Sequence, residues 1–415
     1  MVKINKLLLG TTSLLSLSLL AACGNGDEES ASEESSDNLS VWMMGDGNET
    51  VQPIFDAYTE ETGIEVDLQS IPWSAAHDRL LTAVASGEGP DVVQMGSTYM
   101  AEFTDAGALL DISDYIESSD ALSPENFFEG NVATTMFDDN YYGVPWYTET
   151  RALYYRTDLL EEVGYPEGPS NWEELYDAAV KLSERGDNMY GFDINLKEQT
   201  FGPMFAKQNG SEIINDAGEP VLNEPEFVEA IEYLHSFVEA GATTNQDLGI
   251  ELSQSFGGEG IVPMFISGPW SISMIEDQTT DIEGKWDIRT LPEGPVSNVS
   301  NTGGANLAVW SSSDHPDEAM DLIEHMVSVD SLMTYYDTTS SLPALVESWE
   351  EEPFQDEKIA VFGEQLENSE HMPLIEGWDR MSQAYLSSFE QIMVGGADIQ
   401  ETLDNLNEEV KTIIE

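Results

Sequence analysis

The chain has 415 residues, 40% of them hydrophobic, with 80 Asp plus Glu against 14 Lys plus Arg and a formal charge of −66. That charge makes nucleic acid and an anionic membrane surface poor partners. The single cysteine, Cys23, excludes an intramolecular disulfide and a zinc–thiolate cluster.

Lys3 and Lys6 precede an uncharged apolar stretch, Leu7 to Leu20, followed by Ala21, Ala22 and Cys23. A basic start, a short apolar core and small residues before a cleavage point read as a secretory leader, too short for a permanent span. Leu20-Ala21-Ala22-Cys23 resembles a bacterial lipobox, which implies cleavage after residue 22 and acylation of Cys23. Residues 23–38 then form an acidic tether of Asp, Glu, Ser and Ala with no large apolar side chain to fold around. The rest is long enough for two domains and holds no second membrane-length apolar run. Its acidic helix faces, such as Glu226, Glu229 and Glu232, lack calcium-loop spacing and read as a solvated shell suited to high external salt or high pH.

From Leu39 onward, strand and helix patterns alternate. Leu39–Met43 is a strand, Val51, Phe55 and Tyr58 mark a helix ending at Gly63, and Ile64, Val66 and Leu68 alternate as a second strand. Leu80, Leu81 and Val84 lie on a helix closing at Gly87, and Asp91–Met95 is a third strand. Such βα units predict an α/β fold with mainly parallel sheets flanked by helices. Ligands of such sheets bind beyond the carboxyl ends of the strands. That rule selects three loops, 45–48, 71–74 and 94–98.

Further along, Ser170-Asn171-Trp172-Glu173 reads as a capping box for a helix ended by Gly186. Helical spacing recurs at Phe227, Ile231, Leu234 and Val238 and again at Leu403, Leu406, Val410 and Ile413. Residues 215–218 read as a hairpin turn, and 283–291 as a strand. No P-loop, complete dinucleotide fingerprint, nucleophile elbow or His-Glu-x-x-His pair is present, and the sequence calls for no cofactor and no metal. With so many acids, a carboxylate pair carries no information about glycoside chemistry.

The aromatic residues carry more. A sugar offers apolar C–H faces ringed by hydroxyls, which suits flat rings beside planar polar groups. Trp73 follows the second strand. Trp146-Tyr147-Thr148-Glu149-Thr150-Arg151 gathers rings, a carboxylate and a guanidinium, while Trp270 and Trp378 follow Gly-Pro and Glu-Gly turns. Each of these tryptophans is either a ligand platform or core; Trp172, Trp286 and Trp310 fall on helix or strand patterns and read as core.

Several stretches in fixed order resemble the sugar-binding, maltose-binding-protein-like family of extracellular solute-binding proteins, receptors of ATP-binding-cassette importers. They are Leu39-Ser-Val-Trp-Met-Met-Gly-Asp-Gly-Asn48, Ala83 to Asp91, Tyr142-Gly-Val-Pro-Trp146, Arg151 to Leu159, Asn209-Gly210, Ile266-Ser-Gly-Pro-Trp270, Leu291 to Pro295 and Gly303 to Leu307. The resemblance implies a two-lobed clamp with a helix-rich C-terminus, one lobe from 39–148 plus 303–339 and the other from 149–302 plus 340–415. It implies a non-catalytic receptor that closes on an oligosaccharide and hands it to permease subunits. The expected form is a monomer anchored through Cys23 outside the cell membrane, and the alternatives are a secreted hydrolase or lyase or a receptor for a non-sugar solute. Carried over residue by residue, Trp270 matches the stacking tryptophan, and Glu149 and Glu198 match sugar-binding carboxylates. Asp46 and Asn48 fall in the first ligand loop; Gln94, Met95 and Thr98 fall in the third, where Met95 replaces an aromatic ring. Trp73 and Trp146 from one lobe and Trp270 and Trp378 from the other would stack on sugar faces. Gln94, Glu149 and Arg151 would bond its hydroxyls, unless Arg151 only pairs with Glu149 and stiffens the hinge. A neutral glycan suits so acidic a chain best.

Overall fold

Alternation along Leu39–Met44 splits the strand between two cores. Leu39, Val41 and Met43 face one apolar cluster, and Trp42 and Met44 face another on the opposite side of the sheet. Val92 against Val93 and Met95, and Leu307 and Val309 against Ala308 and Trp310, repeat the division. A computed structural model describes residues 38–45, 50–215, 217–244 and 249–414. Met1–Asp37 lies outside the described residues, and so do the leader, Cys23 and most of the tether, as do Asp46 and Asn48.

Among the described residues the large sheet has seven strands. Its order is Leu342–Pro343, Val144–Glu149, Ser300–Val309, Val92–Gly96, Leu39–Met44, Val66–Ile71, with Ser369–His371 pairing alongside Ser300–Thr302. A second sheet holds Met264–Ser267, Ala152–Arg156 and Trp286–Arg289. Its middle strand also alternates, Leu153 and Tyr155 facing one core and Ala152 and Tyr154 another.

The two βα units at the start form as the pattern predicts, with helices Gln52–Thr62 and Trp73–Ser86 ending at Gly63 and Gly87. The expectation of mainly parallel sheets needs correction. Only Leu39–Met44 with its two neighbours, and the short Ser369–His371 pair, run parallel; the remaining pairs of the large sheet and all pairs of the small one are antiparallel. Hydrophobic alternation fixes which way side chains point, not which way a strand runs. Ser300–Val309 re-enters the large sheet after the chain has passed through the small one, and it runs antiparallel to Val92–Gly96.

Four local expectations also shift. The capping pair is Asn171 and Glu174: Asn171 accepts from the Glu174 N–H, and the Glu174 carboxylate accepts from the Ser170 N–H and hydroxyl. That helix, Trp172–Ser183, ends before Gly186, and the late strand shrinks to Trp286–Arg289. The predicted loop over 71–74 reduces to Pro72, so Trp73 opens the following helix.

Candidate functional site

The chain leaves the large sheet at Glu149 and enters the small one at Ala152, and Ser300–Val309 begins beside that crossing. The two segments are tied there by one hydroxyl. Ser300 Oγ accepts from the Arg151 N–H at 3.1 Å and donates to the Arg151 carbonyl at 3.2 Å. Extended backbone puts Glu149 and Arg151 on the same side. An Arg151 Nη lies 3.6 Å from a Glu149 oxygen. Another lies 3.3 Å from Glu198, which comes from the turn before helix Phe201–Gln208.

The Arg151 guanidinium carbon also sits 4.8 Å above the Trp270 ring. Trp270 opens helix Trp270–Gln278, directly beyond the small-sheet strand Met264–Ser267. Its indole rests against Gly268, where a Cβ would come within 2.1 Å of the ring. Four sequence-predicted residues, Glu149, Arg151, Glu198 and Trp270, thus converge at the junction of the sheets. The two carboxylates keep side-chain exposures of 30% and 26%, against 11% for the arginine.

Trp73 lies at the carboxyl ends of the parallel strands and is 40% exposed. Its ring covers Gly45 and Gly96, where a Cβ would stand 3.6 and 3.2 Å from it. Tyr99, not selected from the sequence, sits with its ring centroid 6.5 Å from that of Trp73. Burial raises the Tyr99 pKa, and the charges of Asp379, from helix Trp378–Met393, and Glu102 raise it further. Tyr99 falls one residue past the loop marked in the sequence; a wider window was the available signal. Thr98 is half-buried in the short turn Ser97–Tyr99.

Four expected ligand residues are placed otherwise. Trp146 is 0% exposed and packs 4.3 Å from Tyr335 in the core. Trp378 is buried in the helical core cluster that also holds Phe205 and Tyr385, and Met95 is wholly buried under the large sheet. None of the three has a face to offer a sugar. Gln94 is buried too: it accepts from the Met44 N–H at 3.0 Å and its amide points to the Tyr147 hydroxyl at 3.4 Å, so it braces the strand ends. Burial, with the nearby Glu149 charge, holds the Tyr147 phenol well above its usual range; Tyr335, half-buried and desolvated and also near Glu149, is pushed up to about 12. Among the described residues no group of three or more His, Cys, Asp or Glu could hold a metal ion.

Residues 44–332 match the family described as bacterial extracellular solute-binding protein. The chain belongs to that family. The sugar-binding protein MalE of Xanthomonas citri superposes with a TM-score of 0.85 at 28% identity, covering 91% of this chain and 97% of that one. A galactooligosaccharide-binding protein of Bacillus subtilis is 26% identical over 411 residues, 94% of this chain and 93% of its own length. A diacetylchitobiose binding protein of Streptomyces coelicolor is 23% identical over 333 residues, 74% of this chain and 75% of its own. The solute-binding fold is accordingly the two-lobed α/β clamp expected from the sequence, with helices Trp378–Met393 and Ile399–Ile414 filling its C-terminus. Its relatives are binding proteins rather than enzymes.

Proposed function

We propose that this solute-binding protein captures a neutral oligosaccharide between its lobes and delivers it to the membrane subunits of an ATP-binding-cassette importer. One observation carries the reading: two half-open carboxylates and a guanidinium converge on an indole where the chain crosses between sheets. Flat aromatic surface beside planar hydrogen-bonding groups is the chemistry a pyranose needs. Glu149 and Glu198 accept from sugar hydroxyls, Trp270 supplies the stacking face, and Trp73 with Tyr99 supplies a second aromatic surface on the other lobe. Thr98 adds a polar group there, and Asp46 and Asn48 are assigned to the ligand from the sequence resemblance alone. A lobe of 39–148 plus 303–339 hinges against one of 149–302 plus 340–415, and closure on the ligand is the form a permease reads.

In the same reading the protein works as a monomer held outside the cell membrane by acylated Cys23, with the acidic 24–38 stretch as its tether. The acidic surface serves a saline or alkaline exterior, where screening relieves self-repulsion. The test is calorimetric titration of residues 24–415 with neutral di- and oligosaccharides, followed by chromatography of the glycan. One equivalent bound and the glycan recovered intact is the expected result. Cleaved glycan would make the protein an enzyme, and no binding across the panel would direct attention to a non-sugar solute.

A further inference from the structure

The Trp270 ring is already covered. The Arg151 guanidinium carbon stands 4.8 Å above it, and the Gly268 backbone lies against its benzo edge with no space for a Cβ. Arg151 is held in that position from every side. Its backbone N–H and carbonyl are both bound to Ser300 Oγ, one Nη reaches Glu149 at 3.6 Å and the Thr150 carbonyl at 3.4 Å, and the other reaches Glu198 at 3.3 Å. The side chain is 11% exposed while both carboxylates around it remain open to solvent.

We infer that Arg151 is a specificity-determining cap on Trp270, seated on the indole in the free protein and lifted from it when a sugar ring stacks. The inference rests on the sugar-binding reading of this site. A guanidinium and the C–H face of a pyranose compete for the same electron-rich surface. Lifting the cap forfeits the cation–π contact and loosens both ion pairs. A ligand compensates only by bringing three things together: an apolar face for the ring, and hydroxyl donors for both Glu149 and Glu198. A pyranoside does so. A short acyclic polyol has hydroxyls but no such face, and is turned away. The lifted arginine stays anchored through Ser300.

The cap is tested first without ligand. Acrylamide quenching of Trp270, isolated by comparison with Trp270→Phe chains, rises in Arg151→Ala if the guanidinium covers the ring, with Arg151→Lys intermediate. Unchanged quenching in correctly folded Arg151→Ala overturns the proposal. Titration with galactotriose, maltotriose, diacetylchitobiose and erythritol comes second. Removing the competitor is expected to tighten glycan binding by about threefold to thirtyfold, and to narrow the preference for glycan over erythritol. Weaker glycan binding in Arg151→Ala, restored by Arg151→Lys, would make Arg151 a plain ligand donor and sink the cap. If no glycan binds the wild-type protein, the sugar reading fails while the quenching still decides whether the cap exists.

Discussion

Trp146 and Trp270 sit on either side of the same chain crossing, yet one is core and the other faces the site. Trp146 lies on a strand whose first five residues are all buried, with Tyr335 and Tyr147 against it. Trp270 lies past the end of a strand, with a glycine under it and a guanidinium over it. Trp73 resembles Trp270 in this respect, since it too lies over glycines at strand ends. For these three tryptophans the surroundings decide the role: Trp146 is enclosed by large side chains of the core, while Trp270 and Trp73 rest on glycine backbone at strand ends.

The sharpest break of this comparison is in stability. Trp146→Ala removes a fully buried indole and is expected to cost about 3–5 kcal/mol, read as a lower denaturant midpoint. Trp270→Ala should cost far less; equal losses would dissolve the distinction. Gly268→Ala is next. Its methyl would overlap the Trp270 ring, so the ring must move, and sugar affinity is expected to fall by about ten- to a hundredfold, or ~1.4–2.7 kcal/mol, with the melting temperature little changed. Trp73→Ala gives up one stacking surface at the rim, about 1 kcal/mol of binding, seen as a roughly fivefold weaker titration. Ser300→Ala should cost about 1 kcal/mol of stability by leaving the Arg151 backbone without its bridge.

Alkaline pH provides a further contrast between core and site. Tyr335 and Tyr147, packed with Trp146, have folded pKa values raised above the ordinary 10.0. The Tyr335 contribution is therefore complete below pH 10 and is lost as pH rises through about 12, and the Tyr147 contribution declines in the same direction. Stability monitored at the core should decline over that window, and a flat profile would contradict their burial. Screening predicts a rise in melting temperature from low to molar sodium chloride, and no response would remove the salt account of the acidic surface.

The opening of the fold was legible because Leu39–Met44 alternates cleanly and the first helices end at Gly63 and Gly87. Strand direction was not, because side-chain periodicity is the same for parallel and antiparallel pairs. Trp146 and Gln94 depart from the sequence expectation for a related reason. Their strands are buried on both faces, so a residue pointing to a core and one pointing to a crevice leave the same trace. Glu149 and Arg151 could be paired from spacing alone, two residues apart on extended chain. Glu198 comes from 47 residues beyond Arg151 and was placed only by resemblance to a known family. Tyr99 escaped because the crevice rule marks loops, and its ring reaches back from the first turn after one.

The central claim is that the crossing between the sheets binds a neutral oligosaccharide through Trp270. Thermal unfolding of residues 24–415 and of the Trp270→Ala variant, across a panel of neutral glycans in molar salt, tests it most directly, since a ligand that binds the native state raises the melting temperature by mass action. The account predicts a dose-dependent rise with one glycan series in the wild type and none in the variant. Equal shifts in both, or no shift in either, would contradict it.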